Sequence, residues 1–252
     1  MFSKNSNFFS GSGVTRGPVG DGIKSTSGPK VSGITICTWN IVDGRGNRLE
    51  LACNRLNRLE IDVALLTETK LNGRHTVSSY GYSIVTTKCR NPHQGGVALC
   101  FRNDRNWHIE SPEEFGDNVL RCTLVYEGKR TVLVGIYIPP SEEDLETIRH
   151  LDKAVRDVDS RNLVLLGDLN IQLDSPKDER AWNIAEAIKT FGMKNLASGF
   201  KPRRKKCFDW SWRTFREGRR IQSLCDYMLY VEETKWQLFI MIDEEFDSDH
   251  RL

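Results

Sequence analysis

No apolar run in the chain approaches the ~20 residues that a membrane-spanning helix needs. The N-terminus also lacks the charged start and apolar core of a secretory signal, so neither a membrane association nor export is expected. Cysteine occurs seven times, an odd count, at 37, 53, 89, 100, 122, 207 and 225, mostly inside apolar runs and with no CxxC pair. This scatter argues against a disulfide framework and against a zinc site of closely spaced thiols. The cysteines read as reduced core residues, and the compartment as reducing and intracellular. Histidine is scarce, and four of the five (His75, His93, His108 and His150) have no matching partners and receive no role. Net charge is nearly absent at +2, but that value averages unlike regions. Lys and Arg concentrate over 201–220, whereas acids dominate 232–249.

The hydrophobic fraction of 38% over 252 residues is enough to build one large core. Residues 1–33 are rich in Ser, Gly, Asn and Lys with isolated apolar residues, and are expected to be a disordered leader. Order is expected from Ile34, where GITICTW reads as a buried strand ending at Asn40. GNRLELACNRLNRLEI then places Leu49, Ala52, Cys53, Leu56 and Leu59 at helical spacing, and DVALLTE is a second buried strand ending at Glu68. GYSIVTT, GGVALCF, NVLRCTLVY and RTVLVGIYIPP follow as β-rich segments between turn residues, suggesting a meander. Residues 142–158 predict an amphipathic helix with Leu145, Ile148, Leu151, Val155 and Val158 on one stripe. It leads into the strand NLVLLGDLN, and another helix covers 179–191. The expected fold class is α/β: a two-sheet sandwich with helices on the outside.

Polar residues recur where apolar strands end: Asn40, Glu68, Asp168 with Asn170, and Asp226 entering DYMLY. One such carboxylate is commonly a turn or cap residue, but four strand ends together point to a site, since α/β folds build sites there. Carboxylates with an amide suit a hard cation such as Mg²⁺ or Mn²⁺, which takes oxygen ligands and keeps several waters. Such a cation serves phosphodiester hydrolysis by neutralising charge on phosphate oxygens. Glu68 is the leading ligand candidate. His250, flanked by acids in DSDHRL, is placed to contact a phosphate or to pair with a carboxylate.

From Lys201 to Arg220 nine Lys or Arg residues stand against two acids, interleaved with Phe208, Trp210, Trp212 and Phe215. The pattern suits a hairpin gripping a nucleic acid, with Arg203, Arg204, Lys205, Lys206 and Arg213 on phosphates and Trp210 and Trp212 against a groove or base. The plainer alternative is a solvated loop with its tryptophans in the core.

TWN, LLTETK, GGVAL, IYIPP, LLGDLN, CDYML and SDH, in this order over residues 34–252, resemble the endonuclease/exonuclease/phosphatase superfamily in its apurinic-endonuclease-like branch. WNIVDGRGNRLE, LTETKL and HQGGVAL are similar to the endonuclease domain of non-LTR (LINE-type, Tad-like) retrotransposons. The resemblance implies that Asn40 and Glu68 organise Mg²⁺ or Mn²⁺, with Asp249 near the metal. It further implies that Asp168 activates or positions water, that Asn170 and Tyr137 hold the phosphate, and that Asp226 pairs with His250. The implied product carries a 3′-hydroxyl for reverse transcription. The implied partners are double-stranded DNA and a reverse transcriptase region of a longer element, the domain acting as a monomer in the nucleus.

The sequence departs from the family pattern in two places. Many relatives carry an Asp two residues after the Asn, where this chain has Val42, with Asp43 next to it. The family also continues past SDH into a final core strand, so the domain over 34–252 is expected to be C-terminally truncated, with that strand missing. An abasic-site repair endonuclease and an inactive remnant that binds nucleic acid remain as alternative functions.

Overall fold

The structure is a computed structural model that describes residues 33–72, 76–140, 144–196, 211–216 and 219–231. The leader up to residue 32, Arg203, Arg204, Lys205, Lys206, Trp210, Asp249, His250 and the chain end lie outside the described residues.

Alternation along the strands explains the layering. The first sheet contains β1 (Ile36–Asn40), β2 (Val63–Thr67), β3 (Thr76–Ser79), β4 (Tyr82–Thr86) and β5 (Val97–Arg102), ordered β1-β2-β5-β4-β3. The second contains β6 (Trp107–Glu114), β7 (Val119–Tyr126), β8 (Lys129–Tyr137), β9 (Leu163–Asp168), β10 (Lys194–Asn195) and β13 (Asp226–Tyr230), ordered β10-β13-β9-β8-β7-β6. On β2 and β5, Val63, Leu65, Val97, Leu99 and Phe101 face the second sheet and meet Leu120, Cys122, Leu133, Val164 and Leu166. The alternate residues Ala64, Leu66, Ala98 and Cys100 pack under α1 (Arg48–Arg58) through Ala52, Cys53 and Leu56. The outer face of the second sheet, including Val134, Ile136 and Leu165, is covered by α2 (Asp144–Val155) and α3 (Glu179–Thr190). The period of two in the strands and the apolar stripes of the helices together give four layers, α/β/β/α. This is the two-sheet sandwich with outer helices expected from the sequence.

Two connections break the meander. β1 and β2 are parallel, with α1 crossing between them, and β8 and β9 are parallel, with α2 crossing between them. In each pair the C-terminal strand ends lie side by side: Asn40 is in register with Thr67, and Tyr137 with Asp168. The expected stripe on α2 is buried only from Ile148 onward, because Leu145 in the first turn is 61% exposed. A separate two-stranded hairpin, β11 (Trp212–Arg216) with β12 (Arg219–Ser223), overlaps the end of the basic aromatic stretch, of which residues 201–210 lie outside the described residues. The six described cysteines are unbridged, and no described helix is long and apolar enough to cross a membrane.

Candidate active site

The site forms where the C-terminal ends of the two parallel pairs meet, with Asn40 at the centre. Its side chain is fully buried, and Nδ2 donates to Glu68 Oε1 at 2.9 Å and to Asp168 Oδ2 at 2.8 Å. One amide thus joins a carboxylate of the first sheet to one of the second, across 128 residues of sequence. Asn40 Oδ1 accepts the Val42 N–H at 2.9 Å, which sets the orientation of the amide.

Asp168 ends β9 and is fully buried. Its second oxygen, Oδ1, accepts the Asn170 N–H at 2.9 Å, so both carboxylate oxygens have fixed donors. Gly167 permits the close packing just before it. Its φ is 155°, and a Cβ there would lie 1.9 Å from the Ile136 carbonyl oxygen. Asp226 begins β13 directly opposite Asp168 in the antiparallel register, and Leu169 N–H donates to the Cys225 carbonyl at 2.8 Å.

Tyr137 ends β8, with its ring buried between the sheets. Burial pushes its phenol well above the ordinary tyrosine range, and the nearby charges of Glu68 and Asp168 add to the shift. The hydroxyl therefore stays protonated, donating to Glu68 and accepting from the Asn170 amide. Asn170 also donates from Nδ2 to the Ile138 carbonyl at 2.9 Å, tying the loop after β8 to the loop after β9.

Glu68 leaves β2 with φ 54°, Lys70 follows with φ 53°, and Val42 has φ 62°. These are left-handed conformations that a β-branched residue such as Val42 rarely adopts. The Glu68–Lys70 turn is pinned by Thr69 N–H to Gly96 O and Lys70 N–H to Gly95 O. The GGVAL motif acquires a physical reason here, because a Cβ on Gly96 would lie 2.7 Å from Thr69 Oγ1. Lys70, to which the sequence reading gave no role, is a site residue: its ammonium sits 3.6 Å from Glu68 Oε2 with the side chain 11% exposed. Asp43 does not join the site carboxylates. It binds Arg45 through Nε and Nη2, and that guanidinium holds its carboxyl down at about 2.

The structure therefore brings together Asn40, Glu68, Tyr137, Asp168, Asn170 and Asp226. Trp212 and Arg213 lie on β11, and the hairpin is rooted beside Asp226. Ser211 Oγ, at the root of β11, accepts the N–H of both Cys225 and Asp226 at 3.0 Å.

A family model described as "Endonuclease/Exonuclease/phosphatase family" matches residues 37–250. The chain belongs to the endonuclease/exonuclease/phosphatase family. Among solved structures it is similar to the endonuclease domain of TRAS1, a telomere-specific non-LTR retrotransposon. The TM-score is 0.66 and the identity 16%, over 87% of this chain and 95% of that one. It is also similar to an AP endonuclease from Archaeoglobus fulgidus, with a TM-score of 0.62 and 20% identity over 86% of this chain and 96% of that one. A third similar structure is a 3′ phosphatase from Neisseria bound to product DNA hairpin, with a TM-score of 0.64 and 19% identity over 87% and 97%. At these identities the likeness shows the shared fold. No curated protein matches the chain in sequence.

Members of this family are typically metal-dependent phosphodiester hydrolases, and the donor chemistry fits a hard divalent cation. Glu68, with its side chain 20% exposed, offers a carboxylate oxygen at one edge of the network, where Asn40 presents Nδ2 and turns Oδ1 to the Val42 N–H. On the other side, ligand atoms of Asp168, Cys225 and Asp226 lie within 4.8 Å of one another. That second cluster includes a thiol, a soft ligand that Mg²⁺ and Mn²⁺ disfavour, so the Glu68 edge is the better fit.

Proposed function

We propose that the chain is a divalent-metal-dependent DNA endonuclease that nicks one strand of a duplex and leaves a 3′-hydroxyl for target-primed reverse transcription. The observation that carries this reading is the Asn40 amide shared between Glu68 and Asp168, with Tyr137 and Asn170 alongside. The arrangement concentrates fixed donors and acceptors at one point, as charge stabilisation on phosphorus requires.

Asn40 and Glu68, with Asp249, would hold Mg²⁺ or Mn²⁺, which neutralises phosphate charge and stabilises the leaving alkoxide. Asp168, held by Asn40 and by the Asn170 backbone, positions the attacking water and takes its proton. On substrate binding the Tyr137 hydroxyl would turn its hydrogen bond from Glu68 to a phosphate oxygen, and the Asn170 amide would turn an N–H to the same group. Asp226 orients His250 toward the scissile phosphate. Arg203, Arg204, Lys205, Lys206, Trp210, Trp212 and Arg213 grip the flanking DNA, chiefly through phosphates. The full-length element would supply a reverse transcriptase region, and the domain acts as a monomer in the nucleus.

The test is nicking of supercoiled plasmid with Mg²⁺ at low salt. Asp168→Ala should lower the rate by about 10³-fold or more, and EDTA should abolish it. Binding without nicking by the unaltered chain would sink the reading in favour of an inactive nucleic-acid binder. The fold likeness to AP endonucleases supports a second reading, abasic-site repair. Cleavage of an abasic duplex far faster than an intact one would select it.

A further inference from the structure

Arg180 is the second residue of α3, at the positive end of the helix dipole, where a cation is disfavoured. The helix does not need it as a cap, because the Asp178 side chain already accepts the Ala181 N–H at 2.7 Å. The guanidinium instead reaches two backbone carbonyls on different loops. Nη2 donates to Pro139 O at 2.7 Å, and Nη1 approaches Asn170 O at 3.5 Å. Pro139 lies two residues after Tyr137, and Asn170 two residues after Asp168.

The two loops are joined by the Ile138 N–H, which donates to the Asp168 carbonyl at 2.9 Å, and by two side chains. Asn170 Nδ2 reaches back to Ile138 O, and the Arg180 fork spans Pro139 O and Asn170 O. Asn170 has φ 50°, a left-handed conformation that asparagine tolerates, and it turns the Asn170 carbonyl toward the Arg180 guanidinium. A planar fork can serve two acceptors at a fixed separation, whereas a lysine ammonium is a point charge without that geometry.

We infer that Arg180 is a positioning residue for the proposed phosphodiester cleavage: its guanidinium holds the Tyr137 loop and the Asp168–Asn170 loop at the separation the reaction needs. This inference rests on the nuclease reading for its catalytic consequence, but the clamp is a physical claim that stands or falls separately.

The experiment uses the full chain with Arg180→Lys and Arg180→Gln, both compared with the unaltered protein. Amide hydrogen exchange without DNA or metal should accelerate in 137–140 and 168–171 in both variants, leaving β2 and β5 unchanged. Nicking should show kcat lowered by about 100-fold, as expected when reacting groups are misplaced by about an ångström, with KM changed less than twofold. The salt dependence of DNA binding should keep its slope.

Unchanged exchange in the two loops overturns the clamp whatever the nicking assay shows. A slope reduced by about 0.9 would instead make Arg180 a phosphate contact. Full activity in Arg180→Lys would show that charge alone suffices. Faster exchange throughout the sheets would reduce the residue to a general structural role. If the unaltered chain does not nick, the nuclease reading fails, and the exchange result still decides the clamp.

Discussion

The two parallel strand pairs meet at one site but hold their functional groups by different means. In β8–α2–β9, Tyr137 and Asp168 are the last residues of their strands, buried and in direct register. In β1–α1–β2, Glu68 and Lys70 lie just beyond the strand in left-handed backbone, and Val42 does so after β1. Strand register and core packing locate one half of the site, whereas a strained turn pinned by the Gly95–Gly96 carbonyls locates the other. Strained backbone of this kind persists where the surroundings overdetermine it, often at functional sites.

Breaking the joint between the halves should have the largest effect. Asn40→Ala removes the amide shared by two carboxylates, and plasmid nicking should fall by about 10³-fold, as for loss of a preorganised donor. A loss under tenfold would mean that the halves are held together elsewhere. On the register side, Gly167→Ala forces a Cβ against the Ile136 carbonyl and should lower stability by about 3 kcal/mol, measured by urea unfolding. Unchanged stability would show that β9 can shift away from β8.

Tyr137→Phe keeps the packing and removes the hydroxyl that bridges the halves. Nicking should drop by about tenfold or more, with the melting temperature at pH 7 altered by less than a few degrees. The alkaline side sharpens this test. A tyrosine whose folded pKa is raised contributes stability that is complete below the ordinary value and is lost as pH rises toward the folded one. Burial raises Tyr82, Tyr137 and Tyr227 alike, so Tyr137→Phe should flatten the loss of stability above pH ~10. A melting curve against pH identical to that of the unaltered chain would contradict the assigned burial. The smallest effect is expected on the strained side: Val42→Asn should stabilise by about 1 kcal/mol, because Asn tolerates the left-handed region. Its measure is a rise of ~2–4 °C in melting temperature.

Much of this arrangement was legible in the sequence because period and strand-end chemistry survive folding. Unbroken apolar runs such as VALLT and VALCF announced buried strands, and polar residues at strand ends marked Asn40, Glu68 and Asp168. Less legible was β6, whose WHIESPEE is charged, interrupted by Pro112 and irregular between Glu110 and Glu113, as an edge strand can be. Lys70 and Arg180 were given no role for another reason. A cation in a turn or at a helix start carries no pattern, and its importance comes from carbonyls and carboxylates that only the tertiary fold brings near. The Asn40–Asp168 bond is of the same kind, since 128 residues separate its partners.

The Ser211 hydroxyl, by accepting two backbone donors on the far side of the hairpin, closes the base of β11 and β12 into a buttoned loop. Such a loop behaves as an exchangeable cassette. The strands beyond the button can differ in length and sequence without moving the start of β13, because the Asp226 N–H is held at the root by Ser211.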